Sequence, residues 1–307
     1  MSRVIRLERI TLMCAAPLPL ADFYATALGF TQTDHRFMED RALGEMLGLP
    51  MASAQVVTLQ LGEQYLELVA LKPRGHAYPA HISGTSGLFQ HFAIEVEDID
   101  RAMQHLREHP RWTAISTGGP QHLPAASGGV TAFKFRDPEG HPLELIAAAR
   151  PASGLHDLPR IDHSAISVAS DVRSAAFYER LGLVRTGGSL NMGPEQARLD
   201  DIPGARVAVT ALSPALHPVP HLELLCYGER FVPATPTSPN DIAATWLVFT
   251  VASEAALTVL LREARGMREP VRFADGVVRS LLQDPDGHWL CLEVARQSAQ
   301  PPVAKPG

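Results

Sequence analysis

The sequence predicts an α+β fold of four modules, each a strand, then a helix, then further strands joined by hairpins. Three observations carry that prediction. Two kinds of line recur in both halves of the 307-residue chain, opening strands alternate apolar and polar residues, and one helix per module is followed by several strands. Helices and strands alternating one for one would instead point to a parallel doubly wound sheet.

The first line runs from Arg9-Ile10 through Leu12 to Phe23-Tyr24-Ala25-Thr26-Ala27-Leu28-Gly29-Phe30. It recurs from Arg160-Ile161 through His163 to Phe177-Tyr178-Glu179-Arg180-Leu181-Gly182-Leu183, with one residue fewer before Leu-Gly. Both copies read as strand, helix and glycine exit. The second line, Phe135 to Ile146, carries Asp137-Pro138-Glu139-Gly140-His141 and recurs at Leu282 to Glu293 with Asp284-Pro285-Asp286-Gly287-His288. Asp-Pro-acid-Gly between apolar runs is a hairpin signal.

Anchored on these lines, the modules span 6–72, 87–149, 159–228 and 242–296. In the second, Phe92, Ile94 and Val96 share one strand face, so His91, Ala93 and Glu95 share the other; Ile161, His163, Ala165 and Ser167 line up on one face in the third. Helices are expected at 98–108, 171–180 and 253–265, with Asp98, Asp171 and Ser253 as N-caps. Residues 73–86, 150–158 and 229–241 read as linkers, and 297–307 as a Pro-rich disordered tail. Two domains result, 1–149 and 159–296, with two modules each.

Composition narrows the function classes. With 46% hydrophobic and 20% charged residues the chain is globular, and no run of eighteen apolar residues or signal-peptide pattern is present, so no membrane association is expected. Cys14, Cys226 and Cys291 are odd in number and far apart, which suggests neither a disulfide framework nor a cysteine-rich zinc site and suits a cytoplasmic location. A net charge of -6 without a basic stripe argues against nucleic acid as a partner.

The Phe-Tyr…Leu-Gly line and the Asp-Pro-Glu-Gly-His-Pro-Leu-Glu-Leu line together resemble the vicinal-oxygen-chelate superfamily, which contains glyoxalase I, bleomycin resistance proteins and extradiol dioxygenases. The resemblance covers nearly the whole chain. It implies four βαβββ modules whose sheets pair into two cups, with metal ligands drawn from the first and last strand of each module. Carried over residue by residue, the first-strand positions are Leu12, His91, His163 and Trp246, and the last-strand positions are Glu67, Glu144, Glu223 and Cys291. If modules pair two with three and one with four, as in fused glyoxalases, one cup collects His91, Glu144, His163 and Glu223. That resembles the glyoxalase I ligand set and implies one divalent ion, Ni, Zn, Mn, Co or Fe, with positions open to water or substrate. If they pair one with two and three with four, the N-terminal cup holds Glu67, His91 and Glu144. The first pairing is preferred because it gathers the filled positions into one site.

Each residue also has a plainer reading. Isolated strand histidines are usually satisfied core residues, and a Glu in Leu-Glu-Leu usually faces solvent; matched positions inside a cup shift both toward ligation. His141 and His288 read as turn residues, Tyr24 and Tyr178 as helix-to-sheet packing, and Cys291 as an inert buried thiol. The Gly-rich stretch 116–124 with Ser127-Gly128-Gly129 lacks the helix and Lys-Ser/Thr end of a phosphate loop and reads as a loop at the mouth of a cup, with 191–196 as its counterpart.

The resemblance implies a metal-dependent isomerase or lyase acting on a small-molecule substrate with vicinal oxygens, Glu144 or Glu223 serving as general base. An extradiol-type dioxygenase and a non-catalytic, antibiotic-sequestering binding protein are the alternatives. A monomer or homodimer is expected.

Overall fold

The computed structural model describes residues 4–148, 159–235, 237–263 and 269–295. The expected linker 150–158 and tail 297–307 lie outside the described residues. Module one comprises β1 (Val4–Met13), α1 (Pro17–Leu28), β2 (Thr31–Met38), α2 (Arg41–Leu47), β3 (Ser53–Leu61) and β4 (Gln64–Lys72). Module two follows with β5 (Gln90–Glu95), α3 (Ile99–Arg107), β6 (Thr113–Ala114), β7 (Gln121–His122), β8 (Val130–Arg136) and β9 (Pro142–Ala148). Module three has β10 (Arg160–Ser167), α4 (Asp171–Leu181), β11 (Leu183–Met192), α5 (Pro194–Asp200), β12 (Arg206–Pro214) and β13 (His221–Cys226). Module four has β14 (Trp246–Val251), α6 (Glu254–Glu263), β15 (Val271–Arg272), β16 (Val278–Gln283) and β17 (Trp289–Val294).

The fold is α+β, and its two sheets each take one module from either half of the chain. One runs β15-β16-β17-β14-β1-β4-β3-β2; the other runs β11-β12-β13-β10-β5-β9-β8-β6, with β7 paired to β8. Modules one and four therefore share a sheet, as do two and three. Their opening strands meet antiparallel at the sheet centre, and each opening strand lies parallel to the closing strand of its own module.

The alternation of each strand decides what faces where. Phe92, Ile94, Leu143, Leu145, Leu222, Leu224, Leu247 and Leu290 point into one continuous core that also takes in Leu20, Met103, Phe177 and Leu260 from α1, α3, α4 and α6. Each fully buried aromatic or aliphatic side chain there contributes about 1.5–3 kcal/mol. The residues between them, His91, Ala93 and Glu144 among others, face away from the helices into the cup.

The two recurring lines prove to be one contact made twice. The Tyr24 hydroxyl of α1 donates to Asp137 Oδ2 at 3.0 Å, and Tyr178 of α4 donates to Asp284 Oδ2 at 3.0 Å. In each turn the other aspartate oxygen accepts backbone N–H groups, from Glu139 and His141 or from Asp286 and His288. The acid of Asp-Pro-acid-Gly reaches the start of the same helix: Glu139 accepts from Ala15 N and Ala16 N, just before α1, and Asp286 from Ala169 N and Ser174 Oγ at α4. A carboxylate there satisfies orphan donors and complements the helix dipole. His141 and His288 reach further than a turn, bonding through Nε2 to Met13 O and Ser167 O at the ends of β1 and β10.

Two local expectations change. The helix at 171 is capped by Ser170, whose Oγ accepts from Arg173 N, and Asp171 is its first residue. The stretches 73–86 and 229–241 pair with each other, through a Ser86–Val232 bridge and Gly75 N donating to Asn240 O. A Cβ on Gly75 would meet Asn240 O at 2.3 Å, so glycine is required there. No helix among the described residues is long and apolar enough to cross a membrane.

Candidate metal centre

Four neighbouring strands, β13-β10-β5-β9, bring Glu223, His163, His91 and Glu144 to the floor of one cup. The register explains the convergence. Ala165 stands opposite His91 and Ala93 opposite His163 across the central antiparallel pair, while Ala93 and Ala165 lie beside Glu144 and Glu223 in the parallel pairs. Two methyl groups at these positions leave room for the imidazoles to lean together, with ring centroids 5.7 Å apart at 72°.

His91 Nε2 lies 2.9 Å from Glu144 Oε2. His163 Nε2 lies 3.6 Å from Glu144 Oε2 and 3.6 Å from Glu223 Oε2, within ion-pair reach but too far for hydrogen bonds, and this buried nitrogen has no hydrogen-bond partner. One donor atom each from His91, Glu144 and His163 falls within 4.8 Å of the others. A buried imidazole nitrogen left unsatisfied costs about 1–3 kcal/mol. A divalent cation shared by two imidazoles and flanking carboxylates removes that cost, so the donor set fits such an ion.

Residues not singled out in the sequence complete the floor. A register shift between Ile161 and His163 interrupts the pairing of β10, and Asp162 joins His163 on the cup side. Asp162 Oδ2 lies 3.0 Å from His163 Nδ1, an arrangement that fixes ring orientation and leaves Nε2 to face the carboxylates. His221, two residues before Glu223, places Nε2 3.4 Å from Glu223 Oε1 and forms a second cluster with Asp162 and His163. Lys134, buried and directly opposite Glu144 on β8, donates to Asp200 Oδ1 at 2.8 Å; Asp200 also accepts from Gln196 and Tyr227. A lysine between Phe133 and Phe135, and a histidine alternating with Glu223, were the available sequence signals.

These charges hold one another. Burial opposes the charge on His163, yet Glu223, Asp162 and Glu144 outweigh it and keep the imidazole well above its usual range. For His91 burial prevails over the pull of Glu144 and lowers it. Burial works against ionised Glu144 too, but Lys134 and the two imidazoles hold it well below the carboxylate range; His163 and His221 lower Glu223 in the same way. The cavity above is about 340 Å³, and Ser127, Gly128, Asn191 and Gln196 from the two mouth segments line it.

The other cup departs from the expected ligand positions. Glu67 lies beside Thr11, so the position matching His163, two residues before Ala165, is Arg9. Leu12 points into the core instead, with 1% exposure. The repeat aligns as Arg6-Leu7-Glu8-Arg9 with Arg160-Ile161-Asp162-His163, and the register shift recurs between Leu7 and Arg9. Arg9 donates to Glu67 at 2.7 Å and to both oxygens of Glu293 at 2.9 and 3.0 Å. Trp246 and Cys291 fill the remaining positions, and burial pushes the Cys291 thiol up to about 12.

Residues 6–145 match the family model for the glyoxalase/bleomycin resistance protein/dioxygenase superfamily. No curated protein matches the chain. Among solved structures, glyoxalase I from Zea mays is 16% identical, with a TM-score of 0.61, over 96% of this chain and 92% of that one. A candidate dioxygenase from Bacillus subtilis subsp. subtilis str. 168 is 10% identical, with a TM-score of 0.60, over 97% and 87%. At these identities the likeness shows the fold.

Proposed function

We propose that this chain, whose residues 6–145 match the family model for the glyoxalase/bleomycin resistance protein/dioxygenase superfamily, is a metal-dependent isomerase or lyase for a small substrate with vicinal oxygens. The observation that carries the reading is the buried His163 Nε2, without a hydrogen bond yet facing Glu144 and Glu223, with His91 bonded to the same Glu144. His91, Glu144, His163 and Glu223 would hold one divalent ion, and what the ion supplies when bound is Lewis-acid polarisation of a substrate oxygen.

The two carboxylates are placed for different tasks. Glu144 is the more buried, locked between His91 and the Lys134 strand, which suits a fixed ligand. Glu223 is more open, with a side-chain exposure of 23% against 8%, and its hydrogen bond is the long one to His221. Glu223 is therefore the general base for the proton beside the carbonyl, and His221 orients it or relays that proton onward.

A second reading is favoured by one observation: the three tightest donors are two imidazoles and one carboxylate, the set used by non-haem iron oxygenases. Metal analysis of the purified protein, followed by assays with hemithioacetals, α-hydroxycarbonyl compounds and catechols, separates the two. Proton exchange beside a carbonyl without O₂ uptake supports the isomerase; O₂ uptake with a catechol supports ring cleavage. Tight binding of a small ligand with neither outcome leaves a sequestering protein.

A further inference from the structure

The cup of modules one and four keeps a cavity of about 360 Å³ although its metal positions hold Arg9, Glu67, Trp246 and Cys291. Its walls are largely apolar, with Met38, Leu43, Met46, Trp246, Val248 and Phe273 facing the space and the carboxylates of Glu39 and Asp40 beside Met38 at one edge. The floor is ionic but closed upon itself. Arg9 bonds to Glu67 and Glu293, Arg36 to Glu67 and Asp34, and Arg279 to Glu293 and Asp275. Three guanidinium groups thus face four carboxylates.

Two ligand classes are excluded by this floor. A metal ion finds a guanidinium already between the carboxylates, an indole whose Nε1 is spent on Pro239 O, and a protonated thiol. An anion meets no surplus positive charge, and its carboxylate would have to displace Glu67, Glu293 or Asp275 from donors they already hold. The walls, in contrast, offer what an apolar molecule needs, and an apolar cavity of about 150 Å³ is enough for a benzene ring.

We infer that the cup of modules one and four is a second, metal-independent site for an uncharged and largely apolar small molecule of about two fused rings. Arg9 is the built-in counter-ion that makes the metal unnecessary there. The site is separate from the metal centre, since the two cups lie on different sheets.

The probe for the test is N-phenyl-1-naphthylamine, a neutral dye that fluoresces in apolar surroundings, titrated into the full-length protein with and without a chelator. One saturable site per chain is expected, with energy transfer from tryptophan that Trp246→Phe reduces and with chelator leaving the affinity unchanged. Met38→Asp, at the half-buried rim where folding tolerates a charge, weakens binding by about tenfold or more. His163→Ala leaves it unchanged. Naphthalene methanol should displace the dye at concentrations about tenfold lower than 1-naphthoate.

Stronger displacement by the carboxylate would overturn the assignment of an uncharged ligand. Loss of dye binding on chelation, or on His163→Ala, would place the dye at the metal centre and overturn the second site. So would absence of saturable uptake by protein whose thermal unfolding is normal, or self-association that excludes the dye, which would make a second copy the occupant.

Discussion

The Tyr24 hydroxyl sits 3.0 Å from Asp137 Oδ2, and through that bond a helix of module one is fastened to a turn of module two. The same bond recurs from Tyr178 to Asp284. Tyr24→Phe keeps the ring stacked on Phe92 but removes a buried donor, so it should destabilise the fold by about 1–2 kcal/mol in urea unfolding. Tyr178→Phe should cost a similar amount, and the two should add, because they lie in separate halves of the repeat. Metal content should not change in either variant.

These links also show how much of the molecule was legible in its residues. The two recurring lines announced the modules correctly because turn chemistry and helix exits are local. What they are for was not legible: Tyr24 and Asp137 are 113 residues apart, and only the docked modules make them partners. The mistaken Leu12 has the same origin. Arg6-Leu7 and Arg9-Ile10 both match Arg160-Ile161, and the choice between them depends on the interrupted register near Arg9, a property of strand pairing. Lys134 and Asp162 escaped notice for a similar reason, since their places in the cup are set by the strands beside them.

Arg9 should matter more to stability than Arg36, although both bond to Glu67. Arg9→Met leaves Glu67 and Glu293 buried with a cation removed, which costs about 3 kcal/mol or more. Arg36 is 41% exposed, so Arg36→Met should cost less than about 1 kcal/mol. Equal losses in chemical denaturation would show that the floor does not depend on Arg9 as its counter-ion.

Glu67 makes that floor sensitive to acid. Burial alone would raise its pKa, but Arg9 and Arg36 bring it from 4.5 down to about 2. The unfolded chain therefore takes up a proton at a higher pH than the folded one, so the stabilisation is complete above about 4.5 and is lost as pH falls toward about 2. At most about 3 kcal/mol is involved, less where water screens Arg36. The stability difference between wild type and Glu67→Gln should shrink between pH 6 and pH 3, measured by denaturant unfolding at both; a difference that grows in acid would reject the ion pair as its source.

The metal centre should separate its two carboxylates by what each loses. His91→Ala deletes a neutral nitrogen donor that the remaining oxygens cannot replace, so metal content and activity should fall together. Glu144→Gln removes the charge that both imidazoles face, at 2.9 Å from His91 and 3.6 Å from His163, and it leaves Lys134 opposite a neutral amide. A cation is then held less well, so metal and turnover should again decline in step. Glu223→Gln differs because Glu223 is the outer member, 3.6 Å from His163 and more open to the cavity. Three donors remain in place, and an amide keeps an oxygen but has no basicity. This variant should retain most of the metal while kcat drops by about 100-fold or more, the range that a positioned general base supplies. The order is read from metal analysis and turnover on the same samples; if Glu223→Gln loses its metal while Glu144→Gln keeps it, the roles assigned to the two carboxylates are reversed.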